Sequence, residues 1–315
     1  MNIFINKDEQ RLRAGWRLLI QFILLFLITG LAYTAIHFFW GSSLALANAL
    51  ASFVGFVASI WLAARLLDKR SFFDFGLNFD QTWSNDFLVG ILIGTLAMGT
   101  IFLVEWYFGW VSIIGYGWQT ATYHSFGWTL SISLAAMLLV GFHEELFSRG
   151  YQVLNLSEGL NYPQLGKRGT VIIAVSTSSV LFGSLHLLNP NASAISTINI
   201  IIAGIVLAIP FVLTGSLGLS VGLHFSWNFV QAGVCGFPVS GMNFQTSVFR
   251  IQQAGSDLWT GGAFGPEAGL LGLLGLATIL LLSCVYIKVT RNKLGIAKRF
   301  CKDFQPSLKS DEHKP

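Results

Sequence analysis

Residues 130–156 read LSISLAAMLLVGFHEELFSRGYQVLNL, an apolar run that carries two adjacent acids, Glu144 and Glu145, followed by Arg149. Ionisable groups inside a membrane span are costly and mark a functional site by default. The run exceeds the roughly 20 apolar residues that a helix needs to cross a bilayer. A competing reading puts a helix end at the cytoplasmic surface with all three charges in water, for which Gly150 and Gln152 would mark the exit.

The composition around this run favours lipid. Of 315 residues, 53% are hydrophobic and 11% charged, against roughly 25% charged in soluble domains. Twenty-seven Phe, ten Trp and 33 Gly suit interfacial anchoring and close helix contact, although the aromatics suit core packing equally well. The expected fold is an all-α polytopic transmembrane bundle of about eight spans, near 17–39, 43–66, 87–110, 127–156, 170–188, 194–213, 215–233 and 267–289. The boundary between the sixth and seventh, at Thr214, carries the weakest signal. The basic N-terminus leads into apolar sequence without a small-residue cleavage site, so it reads as a retained first span. Asn2 excludes myristoylation and the C-terminus has no prenylation box. Residues 68–86 read as an interfacial connector, 234–266 as the largest outer loop, and 290–315 as a basic cytoplasmic tail, mobile from Phe300 onward.

Basic residues support the same count independently. Seventeen Lys and Arg fall before span one, after span two, between spans four and five, or after span eight, against Arg250 alone on the other side. The positive-inside rule then puts both termini in the cytoplasm. The net charge of +4 is explained by anionic lipid, so no nucleic-acid partner is needed. Cys235, Cys284 and Cys301 show neither metal-binding nor paired spacing.

Helix geometry separates the two acids. Glu145 and Arg149, four residues apart, share a face, whereas Glu144 is rotated about 100° from Glu145. A Glu145–Arg149 pair offsets burial of either charge and leaves Glu144 to face a wet cavity and activate water. His186 ends the fifth span, SSVLFGSLHLLNP, with Phe182 one turn earlier; a histidine at the outer interface is the alternative. In the seventh span, SLGLSVGLHFSWNFV, His224 and Asn228 share a face beside Gly218 and Gly222, as a site or as interhelical hydrogen-bonding glue. Together Glu144, His186, His224 and Asn228 lie at roughly compatible depths. These types suit water activation: a carboxylate base, imidazoles that orient water or bind a divalent metal such as zinc, and an amide donor for an oxyanion. No GxSxG elbow is present, and His143-Glu144 begins like HExxH but meets Phe147 where the second histidine belongs, so His143 is not assigned as a ligand.

The three segments resemble the CPBP family of intramembrane proteases (CAAX protease and bacteriocin-processing, or Abi). Its EExxxR motif is matched by Glu144-Glu145-Leu-Phe-Ser-Arg149, FxxxH by Phe182-Gly-Ser-Leu-His186, and HxxxN by His224-Phe-Ser-Trp-Asn228. The resemblance covers a core at about 127–233. It implies a cavity opening toward the cytoplasm and peptide-bond hydrolysis in which Glu144 is the base and His186 positions the water. His224 and Asn228 would stabilise the oxyanion or, with Glu144 and His186, complete a metal site; Glu145, Arg149 and Phe182 would support the geometry. The resemblance leaves both a metal-dependent and a metal-free route open. It further implies a peptide or protein substrate, lipidated or membrane-bound, and a multi-pass protein of the bacterial plasma membrane. Two other readings of the same polar cluster are an ion-coupled transporter and a non-catalytic membrane adaptor.

Overall fold

A chain this apolar must satisfy its backbone polar groups within each segment, and in lipid that selects helices. The computed structural model describes residues 3–6, 9–40, 45–119, 125–244 and 246–300. The mobile tail expected from Phe300 onward thus lies, except for Phe300, outside the described residues. The helices are α1 (Ala14–Trp40), α2 (Ala45–Ala63), α3 (Gln81–Tyr107), α4 (Phe126–Glu145), α5 (Leu154–Gly159), α6 (Gly166–Leu185), α7 (Ala194–Thr214), α8 (Gly218–Phe229), α9 (Asp257–Thr260) and α10 (Leu270–Arg291). Side chains mark several starts: Asp80 accepts from the Trp83 amide, Ser125 from that of Trp128, and Ser193 caps α7. Each satisfies an amide that the first turn leaves without an intrahelical partner. Gly215, at φ +73°, ends α7 in the left-handed conformation that glycine tolerates, so the sixth and seventh expected segments are separate helices.

Wide, π-type turns extend three of these helices. Ala64–Asp68 continues α2, Leu146–Val153 joins α4 to α5 as one continuous rod, and Val230–Val234 continues α8. Such turns often occur at functional sites, and the one after Glu145 begins directly beyond the acid pair.

Among the described residues, seven helices are long and apolar enough to cross a membrane. The expected span at 215–233 is different. It begins at Gly218, and every residue of α8 except Phe229 is buried, so α8 is an inner helix walled by the others. Its packing depends on missing side chains. A Cβ on Gly90 of α3 would lie 2.5 Å from the Leu219 carbonyl oxygen, and one on Gly222 would lie 2.2 Å from that of Phe87. The two backbones touch, as small residues allow in membrane bundles.

The sequence reading contains no strands, but two short antiparallel ribbons are present. β1 (Ile5–Asn6) pairs with β2 (Arg11–Leu12), and β3 (Val111–Tyr116) with β4 (Phe249–Gln253). The second ribbon takes β4 from the middle of the expected outer loop and fastens it to the end of α3. The 68–86 connector is likewise more than interfacial: Phe75 and Leu77 are fully buried and join the core with Leu146, Phe147, Tyr151, Phe211 and Leu217.

The ends of the bundle differ in charge. Arg11, Arg17 and Arg70 converge on Asp68 and Glu158, Arg291 on Asp86, and Arg299 donates to the Asp74 carbonyl. All lie at the end of the bundle that holds the N-terminus of α1 and the C-terminus of α10. Arg250 lies in the β3–β4 ribbon at the other end. The charge asymmetry of the sequence is thus a spatial one.

Two substitutions test this packing. Asp68→Ala leaves Arg17 only its 3.5 Å contact with Glu158 and should lower stability by about 3–5 kcal/mol, the usual cost of breaking a buried ion pair by removing one partner, read as earlier thermal unfolding in detergent. Gly90→Val should separate α3 from α8 and reduce folded yield, measured by size-exclusion recovery.

Candidate active site

The rod through α4 and α5 carries Glu144 and Glu145 near its middle, about 27 Å along the helix from Phe126. The two acids have different surroundings. Glu145 is fully buried, whereas the Glu144 side chain is 24% exposed, and that exposure faces a cavity of about 340 Å³. Arg149 donates from Nη1 to Glu145 at 2.8 Å and from Nη2 to the Gly204 carbonyl of α7 at 3.1 Å. The ion pair expected from i, i+4 spacing is present. It also ties the rod to α7.

Glu145 has a further partner that helix periodicity does not reveal. Its Oε1 lies 2.7 Å from Nδ1 of His224 on α8. A carboxylate accepts, so Nδ1 carries a proton and the ring is turned to present Nε2 to Glu144, 3.8 Å from Oε2. His224 therefore stands between the two acids, oriented by one and facing the other. Asn228, one turn along α8, lines the same cavity.

His186 arrives from the end of α6. Its Nδ1 lies 2.8 Å from the Phe182 carbonyl, which fixes the proton on Nδ1 and frees Nε2 to act as an acceptor. Phe182 links the motifs as a buried ring. Arg149 stacks on it at 4.5 Å, His186 lies at 4.9 Å and His224 meets it edge-on at 6.3 Å. A guanidinium over an aromatic face gains cation–π attraction that strengthens out of water.

The cavity is therefore lined by Glu144, His186, His224 and Asn228, with Phe182 in its wall; Glu145 and Arg149 lie behind it. Six polar residues that the sequence reading did not single out join them: Asn48, Ser52, Asn189, Asn199, Ser240 and Glu267. Glu267 is buried and accepts from the Ser240 amide at 2.6 Å, and burial pushes its carboxyl above the usual range. It stands just before α10, at the first residue of the expected eighth span; a lone acid between Pro266 and a long apolar run was the available signal. His143 also touches the cavity but packs against Phe56 at 4.6 Å between ring centroids.

The donors do not fit a resident metal. Among the described residues, no group of three or more His, Cys, Asp or Glu side chains is arranged to hold one. Asn is, in addition, an uncommon zinc ligand.

The cavity lies toward one end of the bundle. Its walls come from the first half of α2, the middle of the α4–α5 rod as far as Glu144, the end of α6, the first two-thirds of α7, the first part of α10, the second half of α8, and residues 239–244. These are the parts away from the basic clusters. Toward the basic end the space is filled by Leu146, Phe147, Tyr151, Phe75, Phe211 and Leu217, each at most 2% exposed.

Residues 126–230, a third of the chain, match a family model described as Rce1-like, type II CAAX prenyl endopeptidase Rce1-like. No curated protein and no solved structure matches the chain. The matched segment contains all three motifs, bears out the resemblance read from them, and supports an intramembrane endopeptidase in general terms.

Arg149→Ala should leave Glu145 buried with His224 alone and remove the cation from the Phe182 face. The expected loss is about 3–5 kcal/mol, visible as reduced folded yield and a lower unfolding temperature. Arg149→Lys should recover only part of it, because Lys cannot span Glu145 and the Gly204 carbonyl with a planar fork.

Proposed function

We propose that the protein is an intramembrane endopeptidase that hydrolyses a peptide bond with water activated by Glu144, without a metal and without an acyl-enzyme. The observation that carries this reading is the contrast within the acid pair. Glu145 is consumed by Arg149 and His224, while Glu144 keeps a partly exposed carboxylate opposite a fixed imidazole. That is the arrangement a general base requires: open to the cavity, beside donors, and 3.8 Å from the His224 imidazole instead of closed against a guanidinium.

In the proposed reaction, water sits between Glu144 and Nε2 of His186. Its oxygen attacks the scissile carbonyl carbon as Glu144 takes a proton. The negative charge that develops on the carbonyl oxygen meets donors from the other wall. Asn228 offers its amide N–H, and His224, charged between two carboxylates, offers Nε2–H. Preorganised donors in a site without bulk water are worth several kcal/mol at this stage. Collapse of the tetrahedral species breaks the C–N bond, and Glu144 returns its proton to the leaving amine. The products are a carboxylate and an amine.

For the substrate we propose a peptide segment at or in the bilayer, given the largely apolar walls of the cavity. A prenylated C-terminal peptide is one form of it, in keeping with the matched family of prenyl endopeptidases. The protein is proposed to reside in a bacterial plasma membrane, with its basic clusters in the cytoplasm.

Glu144→Gln should retain insertion and folded yield but lower turnover by about 10²–10⁴-fold, the usual worth of a general base, in a mass-spectrometric assay of a peptide library with purified protein in lipid. Chelator should leave the parent activity unchanged; its loss, restored by added zinc, would overturn the metal-free route.

A further inference from the structure

We infer that the cavity is reached from the face opposite the basic clusters, so that the peptide it takes is an extracytoplasmic segment. The inference rests on the endopeptidase reading for the word peptide, but not for the direction of access.

Three observations carry it. The first is the distribution of the walls: Asn48, Ser52, Asn189, Ser240, Met242 and Glu267 all line the cavity, and all lie at or near the ends of elements farthest from the basic residues. The second is the closure below. Between Glu144 and the basic end, Gly150 is so tightly packed that a Cβ there would sit 2.9 Å from the Phe75 carbonyl oxygen and 3.2 Å from Leu217. Beyond this layer lies the buried network of Arg17 with Asp68 and Arg70 with Glu158. Neither layer leaves a path for a peptide. The third is the nature of the cover above, which is a loop and not packed helices. It is the turn around Ser240, held by the Val239–Met242 bridge, by Asn189 to the Ser240 carbonyl at 2.9 Å, by the Ser240 amide and hydroxyl to Glu267, by the Gly241 amide to the Phe264 carbonyl at 2.8 Å and by Gln231 to the Pro238 carbonyl at 2.6 Å, with Gly241 lying against the Pro190 carbonyl. Met242, which lines the cavity, is 49% exposed. A turn held by a few hydrogen bonds opens at far lower cost than a close-packed core.

The charge pattern then supplies the direction. Thirteen of the fifteen described basic residues mark the closed end as cytoplasmic, which leaves the loop-covered end outside. Substrate approaching from there meets Glu267 and Asn189 first and the Glu144–His186 pair deeper in the bundle.

The test is cysteine accessibility in the full chain, with Cys235, Cys284 and Cys301 replaced by serine. Ser52→Cys reports the cavity, Met242→Cys its cover and Lys69→Cys the basic end. A membrane-impermeant methanethiosulfonate is applied to intact cells and, separately, to inverted vesicles. The expected result is that Ser52→Cys and Met242→Cys are modified in intact cells and not in inverted vesicles, and that Lys69→Cys shows the reverse. Modification of Ser52→Cys from the vesicle side, or from neither side, overturns the inference. So does modification of Lys69→Cys in intact cells. If Ser52→Cys fails to fold, Met242→Cys decides with Lys69→Cys. A modified Ser52→Cys protein should also lose peptide cleavage. Should accessibility follow the expected pattern while no peptide is cleaved by the unmodified parent, access stands and the endopeptidase reading falls.

Discussion

A single buried carboxylate organises the centre of the molecule. Glu145 is fully enclosed, and it is tolerable there only because one oxygen is shared by a guanidinium and an imidazole. Burying a charge costs several kcal/mol unless close partners repay it. Each partner also brings another element to the rod. Arg149 reaches the Gly204 carbonyl of α7 and lies over Phe182 of α6, while His224 brings α8. Four helices therefore meet around one oxygen atom, and the position of Glu144 is set by its chain neighbour. Glu144 can keep a partly exposed carboxylate facing the cavity because the adjacent one is so thoroughly paired.

This economy explains why the polar residues concentrate on one side of mid-bundle. Below them the core is apolar and close-packed, with Leu146, Phe147, Tyr151 and Phe211 essentially without exposure. That layer separates the site from the charge network of the basic end, so two sets of buried charges share the same rod without sharing water. The cavity takes the remaining space, between α2, α4, α7, α8 and the loop before α10. The close-packed layer below and the largely apolar walls give the cavity a low local dielectric, in which charges and hydrogen bonds interact strongly. The same layer gives the bundle a direction. Its loop-covered face is the one nearest the cavity.

Much of the site was legible before folding. The i, i+4 spacing of Glu145 and Arg149 foretold their ion pair, and the 100° offset separated Glu144 from it. His224 with Asn228 and Phe182 with His186 were each readable as one-turn pairs. The bond between Glu145 and His224 was not, because it joins residues 79 positions apart on different helices, and periodicity describes only neighbours on one helix. Glu267 was missed for a related reason. An acid in a Gly- and Pro-containing stretch looks solvated, and only the return of the loop over the cavity buries it. The ribbon of β3 and β4 went unread because its strands are short and far apart in the chain.

The amino-acid sequence by itself determined that this is a helical membrane protein, which ionisable residues lie within its apolar segments, and which end of the bundle carries the positive charge. Those properties follow from local apolar length, residue chemistry and the counting of Lys and Arg, none of which needs a partner in space. Tertiary structure alone decided that α8 is an inner helix, that Glu145 holds His224, and on which side of the packed layer the cavity lies. The physical reason is that these are outcomes of packing. Glycines at positions 90 and 222 let two backbones touch, and where large side chains fill one half of a bundle, the space left for water and substrate falls in the other.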